Sequence, residues 1–143
     1  MNKQQKMRDR LYKFALGIVQ LVRRLPKELV GNEKIGRQLI RSGTSVAANY
    51  EEAIAGFSKE DFIYKISISF RESKEANLWL RLLKDSGVPI HFEPVDKLTQ
   101  EADEISHILA KSLKTSRANL EAEKLKKTIC VTGIDSILYD FKI

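Results

Sequence analysis

Met7, Leu11, Phe14, Ile18, Leu21 and Leu25 follow one another at steps of 4, 3, 4, 3 and 4. That spacing gathers all six on one side of an α-helix, whereas a strand would scatter them over both faces. Pro26 ends the pattern, because proline supplies no amide hydrogen and clashes with the preceding turn. A second helix is predicted from near Asn32 and Glu33 through Ile35, Leu39, Gly43, Val46, Tyr50, Ile54 and Phe57, with Gly56 closing it. Ser58, with an acid three residues on at Asp61, is a natural N-cap for a third helix that runs to Gly87. Its predicted core face is Phe62, Ile63, Ile66, Phe70, Asn77 and Leu80. Pro94 and Asp96 suit the first turn of a fourth helix, which follows Val95, Leu98, Ala102, Ile105, Leu109 and Leu113 to about Lys127. Four such helices joined by short turns imply an all-α, antiparallel up-down-up-down four-helix bundle over residues 1–127. Residues 128–143 lack a clean period and form a tail to which the sequence assigns no role.

Composition agrees with one domain: 143 residues, 43% of them apolar, with only seven Gly and three Pro and no repeat or low-complexity run. The lone cysteine, Cys130, cannot form an internal disulfide. The stretch from Phe14 to Val19 loosely resembles a signal-peptide core, but Gln20, Arg23 and Arg24 follow without a cleavage site, and it reads as a mature helix. No run approaches the roughly 20 apolar residues that span a bilayer, so a cytoplasmic protein without a membrane partner is expected. Glu104 and His107 make a single Glu-x-x-His, where di-iron bundles use two copies and further core glutamates, and both point away from the predicted core face. With His91 isolated in a proline-bounded loop, no phosphate-binding glycine loop and no nucleophile pattern, the chain is expected to be no enzyme and to need no metal or cofactor.

Charge is concentrated rather than spread. Residues 1–25 hold seven basic side chains against Asp9 alone, which accounts for the whole net charge of +6. Lys3, Lys6, Arg10, Lys13 and Arg24 lie along one flank of the first helix, and Lys111, Lys114 and Arg117 open a second basic stretch. Such rows attract polyanions through phosphate contacts that carry no sequence information and weaken steeply with salt. These eight residues are therefore candidate nucleic-acid contacts, with ordinary solubilising charge as the alternative.

Two further patterns point to contacts between helices or subunits. Tyr64, Ile68, Glu75, Trp79 and Leu82 form a second line on helix 3, away from its core face. A lone bundle needs one apolar face per helix, so this line suggests a partner, a broad core stripe or a packed tail. On helix 2, Arg41, Ser45, Asn49 and Glu52 make a polar stripe beside the small residues Gly36, Ser42, Gly43, Ala47 and Ala48. An arginine, glutamate and asparagine network at a helix junction would satisfy its own hydrogen bonds and set register. Glu72 and Glu75 look like paired carboxylates, but Arg71 and Lys74 adjoin them in sequence.

The run from Arg41 to Ala53, the run from Arg71 to Leu80, and Leu25-Pro26-Lys27 together resemble the bacterial four-helix-bundle family encoded by intervening sequences of ribosomal RNA genes. The resemblance covers roughly residues 5–125. It implies a ring-like homopentamer with a basic surface, and kinship to accessory variability proteins of diversity-generating retroelements, which bind nucleic acid and a reverse transcriptase. One departure is that Glu51-Glu52-Ala53 stands where the family has alanine, glutamate and glycine, so Glu52 matches and the glycine is lost. The functional expectation is an oligomer that binds RNA or DNA through its basic surface, as an accessory to a reverse transcriptase or another nucleic-acid enzyme. The alternative is a protein-interaction scaffold docked through the second face of helix 3.

Overall fold

The computed structural model describes residues 2–27, 31–88 and 91–132. The described residues form four helices: α1 (Lys3–Arg23), α2 (Asn32–Ala55), α3 (Lys59–Asp85) and α4 (Phe92–Thr132). Their ends follow local chemistry. The Asn2 side chain accepts from the Gln5 amide at 2.8 Å and Ser58 Oγ from the Asp61 amide at 3.0 Å, each satisfying a donor that the first helical turn leaves open. Gly87, with φ of 74°, turns the chain away after α3 through a backbone conformation that costs other residues more. The second helix does not reach Phe57 as its spacing suggested: α2 ends at Ala55 with Gly56 as its C-cap, and Phe57 stands fully exposed in the turn.

The helices pack as a closed circuit in which α1 meets α2, α2 meets α3, α3 meets α4, and α4 returns to α1. Cross-helix contacts step in opposite numerical directions along neighbours: Arg41 meets Glu72 and Glu75, Val46 meets Ser69, and Glu52 meets Lys65. The predicted stripes of α1 and α4 are the core. Leu11, Phe14, Ile18, Leu21 and Leu25 are buried, as are Val95, Ala102, Ile105, Leu109 and Leu113. Burying a side chain of this size contributes about 1.5–3 kcal/mol. On α3 the sequence expectation needs correction. Ile66, Asn77 and Leu80 are buried, but Phe62, Ile63 and Phe70 lie at the core's edge, and Ser69, Ser73, Ala76 and Leu83 fill its centre. Small side chains let α3 pack closely, and their hydroxyls are satisfied: Ser69 Oγ donates to the Val46 carbonyl at 2.7 Å and Ser73 Oγ to that of Phe70 at 2.7 Å.

The fourth helix also differs from expectation, continuing past Lys127 through Thr132 and so taking up the first five residues assigned to the tail. The remaining tail, residues 133–143, lies outside the described residues. Leu113 is the last buried apolar residue of α4 among those described, so the following turns extend beyond the core.

Candidate nucleic-acid interface

Of the eight basic residues singled out from the sequence, Lys3, Lys6, Lys13, Arg24, Lys111, Lys114 and Arg117 are exposed. Arg10 is different. Its Nε and Nη2 donate to the two carboxylate oxygens of Glu101 at 2.5 and 2.8 Å, and Nη2 also reaches Glu104 at 2.5 Å. The Glu101 hydrogen bond raises the Arg10 pKa above its ordinary value, and the bond from Arg10 lowers that of Glu104. A guanidinium held by two carboxylates has little left to offer a phosphate, so Arg10 joins α1 to α4 instead of serving as an open phosphate contact.

The structure also divides the remaining cations among separate places. Lys3 and Lys6 edge a cleft of about 520 Å³ whose other walls include Tyr50, Phe62 and Ile108. Arg24 lies at the opposite end of α1, in a cleft with His91, Lys97 and Leu98. Lys114 and Arg117 flank Phe70, on the α3 side of α4. Lys3 and Lys6 are thus separated from Arg24 by the length of α1, about 30 Å at the helical rise, and Lys114 and Arg117 lie beside α3.

The two stripes read as contact surfaces meet along the junction of α2 and α3. Arg41 pairs with Glu75 and also donates to both oxygens of Glu72 at 3.2 Å. Trp79 Nε1 donates to Glu75 at 3.0 Å, and the indole packs at the edge of the core. Glu52 pairs with Lys65, while Asn49 Nδ2 donates to the Ser45 carbonyl at 2.9 Å within α2. The hydrogen bond from Arg41, foremost, and that from Trp79 keep the Glu75 carboxyl below the usual carboxylate range despite partial desolvation. The line on α3 therefore does not stand as one outward face. Glu75 and Trp79 are engaged within the chain, Ile68 is half-buried, and Tyr64 and Leu82 remain outside at 58% and 44% exposure. Ala53, in the place of the family glycine, is buried with its methyl in the core.

Glu104 and His107 do not converge on a metal position. Glu104 is engaged by Arg10, and the exposed His107 ring lies 2.8 Å from the Asp103 carbonyl. No cluster of metal-ligating side chains occurs among the described residues. Among the described residues, no helix is long and apolar enough to cross a membrane.

A second cleft, of about 580 Å³, lies beside the turn from α2 to α3 and was missed by the sequence reading. Phe57, Phe62, Asn119 and Lys126 contribute to it. The available signal was Phe57 itself, placed between a helix-ending glycine and a capping serine where neither helix could bury it.

Residues 3–111 match the family described as 23S rRNA-intervening sequence protein. A crystal structure of a protein of unknown function from the S23 ribosomal protein family of Bacteroides thetaiotaomicron is similar to this chain, with 34% identity and a TM-score of 0.66. The match covers 79% of this chain and 99% of the other. No curated protein sequence matches the chain closely. The paired signatures on α2 and α3, the four-helix circuit and these two likenesses agree: the chain belongs to the 23S rRNA-intervening sequence protein family.

Proposed function

We propose that this protein is a non-enzymatic, cytoplasmic, oligomeric bundle that binds RNA or DNA through its basic surface, as an accessory to a reverse transcriptase or another nucleic-acid enzyme. In this reading the helices run antiparallel, up-down-up-down, and the subunits assemble into a ring, a homopentamer by family resemblance. The opposed stepping of cross-helix contacts supports the first of these. The observation that carries the binding reading is the state of the cations. Arg8, Arg10, Arg41, Lys59, Lys65 and Lys84 are paired with carboxylates across helices, whereas Lys3, Lys6, Lys13, Arg24, Lys111, Lys114 and Arg117 are exposed and have no ion pair among the described residues. Open cations on a chain of net charge +6 favour a polyanion, and a ring would repeat each patch around its axis.

The test is solution mass by light scattering, followed by titration with labelled single- and double-stranded RNA and DNA at several salt concentrations. An oligomer whose affinity falls steeply with salt, and falls further when Lys3, Lys6 and Lys13 are changed to Glu, is the expected result. Indifference to every nucleic acid would overturn the reading. It would leave the protein-interaction scaffold, which the exposure of Tyr64 and Leu82 on α3 favours.

A further inference from the structure

We propose that the groove running past the α2–α3 turn and the start of α1 holds a single-stranded nucleic acid, with Phe57 as the surface on which a base stacks. The inference rests on the nucleic-acid reading above and gives it a location and a strand preference. The groove exists because α1 begins at Lys3 while α4 continues to Thr132, leaving the far part of α4 without α1 beside it. Two clefts, of about 580 and 520 Å³, share Gln4, Ile54 and Phe62 and so form one continuous path. Measured along α4 from Ile108 to Lys126, the path is about 27 Å long at the helical rise, room for about eight stacked nucleotides.

The charge along this path suits a phosphate chain. Glu123 is the sole carboxylate on its lining among the described residues, and Lys59 pairs with it. Arg10 is taken by Glu101 and Glu104. Lys3 and Lys6 are then left without an ion pair among the described residues at one end, and Lys126, whose charge also acts on Glu123, lies at the other, around an apolar floor of Ile54 and Phe62. Asn119 and Gln4 add amides that can donate to or accept from a base edge.

Phe57 sits in a short turn whose flanks are anchored. The turn comprises Gly56, Phe57 and Ser58, with the Gly56 amide donating to the Ala53 carbonyl at 3.4 Å on one side and Ser58 capping α3 on the other. The ring, fully exposed, stands at the edge of the groove in advance of any ligand. Aromatic faces with a basic path beside them are how sequence-tolerant single-strand binders work, since every base has a face to stack. Bases in a duplex are already stacked on one another, and Phe57 offers them little.

The experiment compares the full chain with Phe57→Ala, Phe57→Leu and Phe57→Trp, using labelled 12-nucleotide single strands of RNA and of DNA and the corresponding duplexes. Phe57→Ala and Phe57→Leu are expected to weaken single-strand binding about tenfold, with duplex binding and the salt slope unchanged, while Phe57→Trp retains it. A tighter RNA than DNA complex would place a ribose hydroxyl contact in the groove. Equal loss of single-strand and duplex binding, or retention by Phe57→Leu, would overturn base stacking. Wild-type affinity in Phe57→Ala would overturn the groove while leaving the nucleic-acid reading standing, whereas no binding by the unaltered chain would end both.

Discussion

Arg10 on α1 and Glu101 on α4 are joined by two parallel hydrogen bonds, Nε to Oε1 at 2.5 Å and Nη2 to Oε2 at 2.8 Å. A forked guanidinium can span both carboxylate oxygens and a lysine ammonium cannot. Arg10→Lys is therefore expected to lower unfolding free energy by about 1 kcal/mol, the upper range for a partly exposed pair, in urea denaturation at moderate salt. Nucleic-acid affinity should change less than twofold, against a clear loss for Lys6→Glu. A large loss of affinity in Arg10→Lys would return Arg10 to the binding surface.

Close helix approach makes two glycines respond differently. A Cβ on Gly43 would lie 2.8 Å from Ile18 Cγ1, 3.0 Å from its Cγ2 and 3.1 Å from its Cβ. The branched Ile18 side chain has one comfortable rotamer in a helix and cannot turn aside. Gly43→Ala should cost about 1–2 kcal/mol net, overpacking outweighing the gain in helix propensity. At Gly17 the close neighbour is Leu98 Cδ2 at 2.9 Å, the far end of a flexible side chain, and Gly17→Ala should be nearly neutral. Thermal melts of the two variants would show whether that order holds.

Trp79, hydrogen-bonded to Glu75, is placed to report its ionisation. Because the Glu75 pKa is lowered in the folded chain, the carboxylate contributes stability at pH values above its unfolded pKa, and that contribution disappears as pH falls through the lower folded value. Protonation also weakens the indole hydrogen bond to Glu75. Emission of the single tryptophan should shift with a midpoint below the ordinary carboxylate range, and Arg41→Met should move that midpoint upward. Identical acid titrations in the two proteins would show that Arg41 does not hold Glu75 in solution.

Tyr64 and Leu82 are exposed on α3 and little of their area supports the monomer. If subunits meet there, Tyr64→Ser with Leu82→Ser should lower the solution mass without changing helix content by circular dichroism. An unchanged mass would direct the search for the subunit contact to another face.

Much of the fold was legible because it rests on local regularities. The apolar spacing from Met7 to Leu25 and from Val95 to Leu113 marked the buried faces of α1 and α4, and Gly56, Ser58 and Gly87 marked helix ends whose capping chemistry is local. The centre of α3 was harder to read because Ser69, Ser73 and Ala76 carry little hydrophobic signal. Their value is that they are small where α3 is packed between α2 and α4. The length of α4 was underestimated since beyond Leu113 no apolar period signals a buried face.

Residue order by itself determined that this chain is helical, where most helices end, and that positive charge gathers near residues 1–25 and 111–127, because periodicity, capping and charge are properties of neighbours along the chain. Only the tertiary structure decided which charges remain open. Arg10 and Lys6 are four residues apart in the same basic row, yet Glu101 and Glu104, distant in sequence, engage one and leave the other exposed. The groove beside Phe57 likewise follows from the unequal lengths of α1 and α4 once they are packed together, a relation between elements that no local pattern contains.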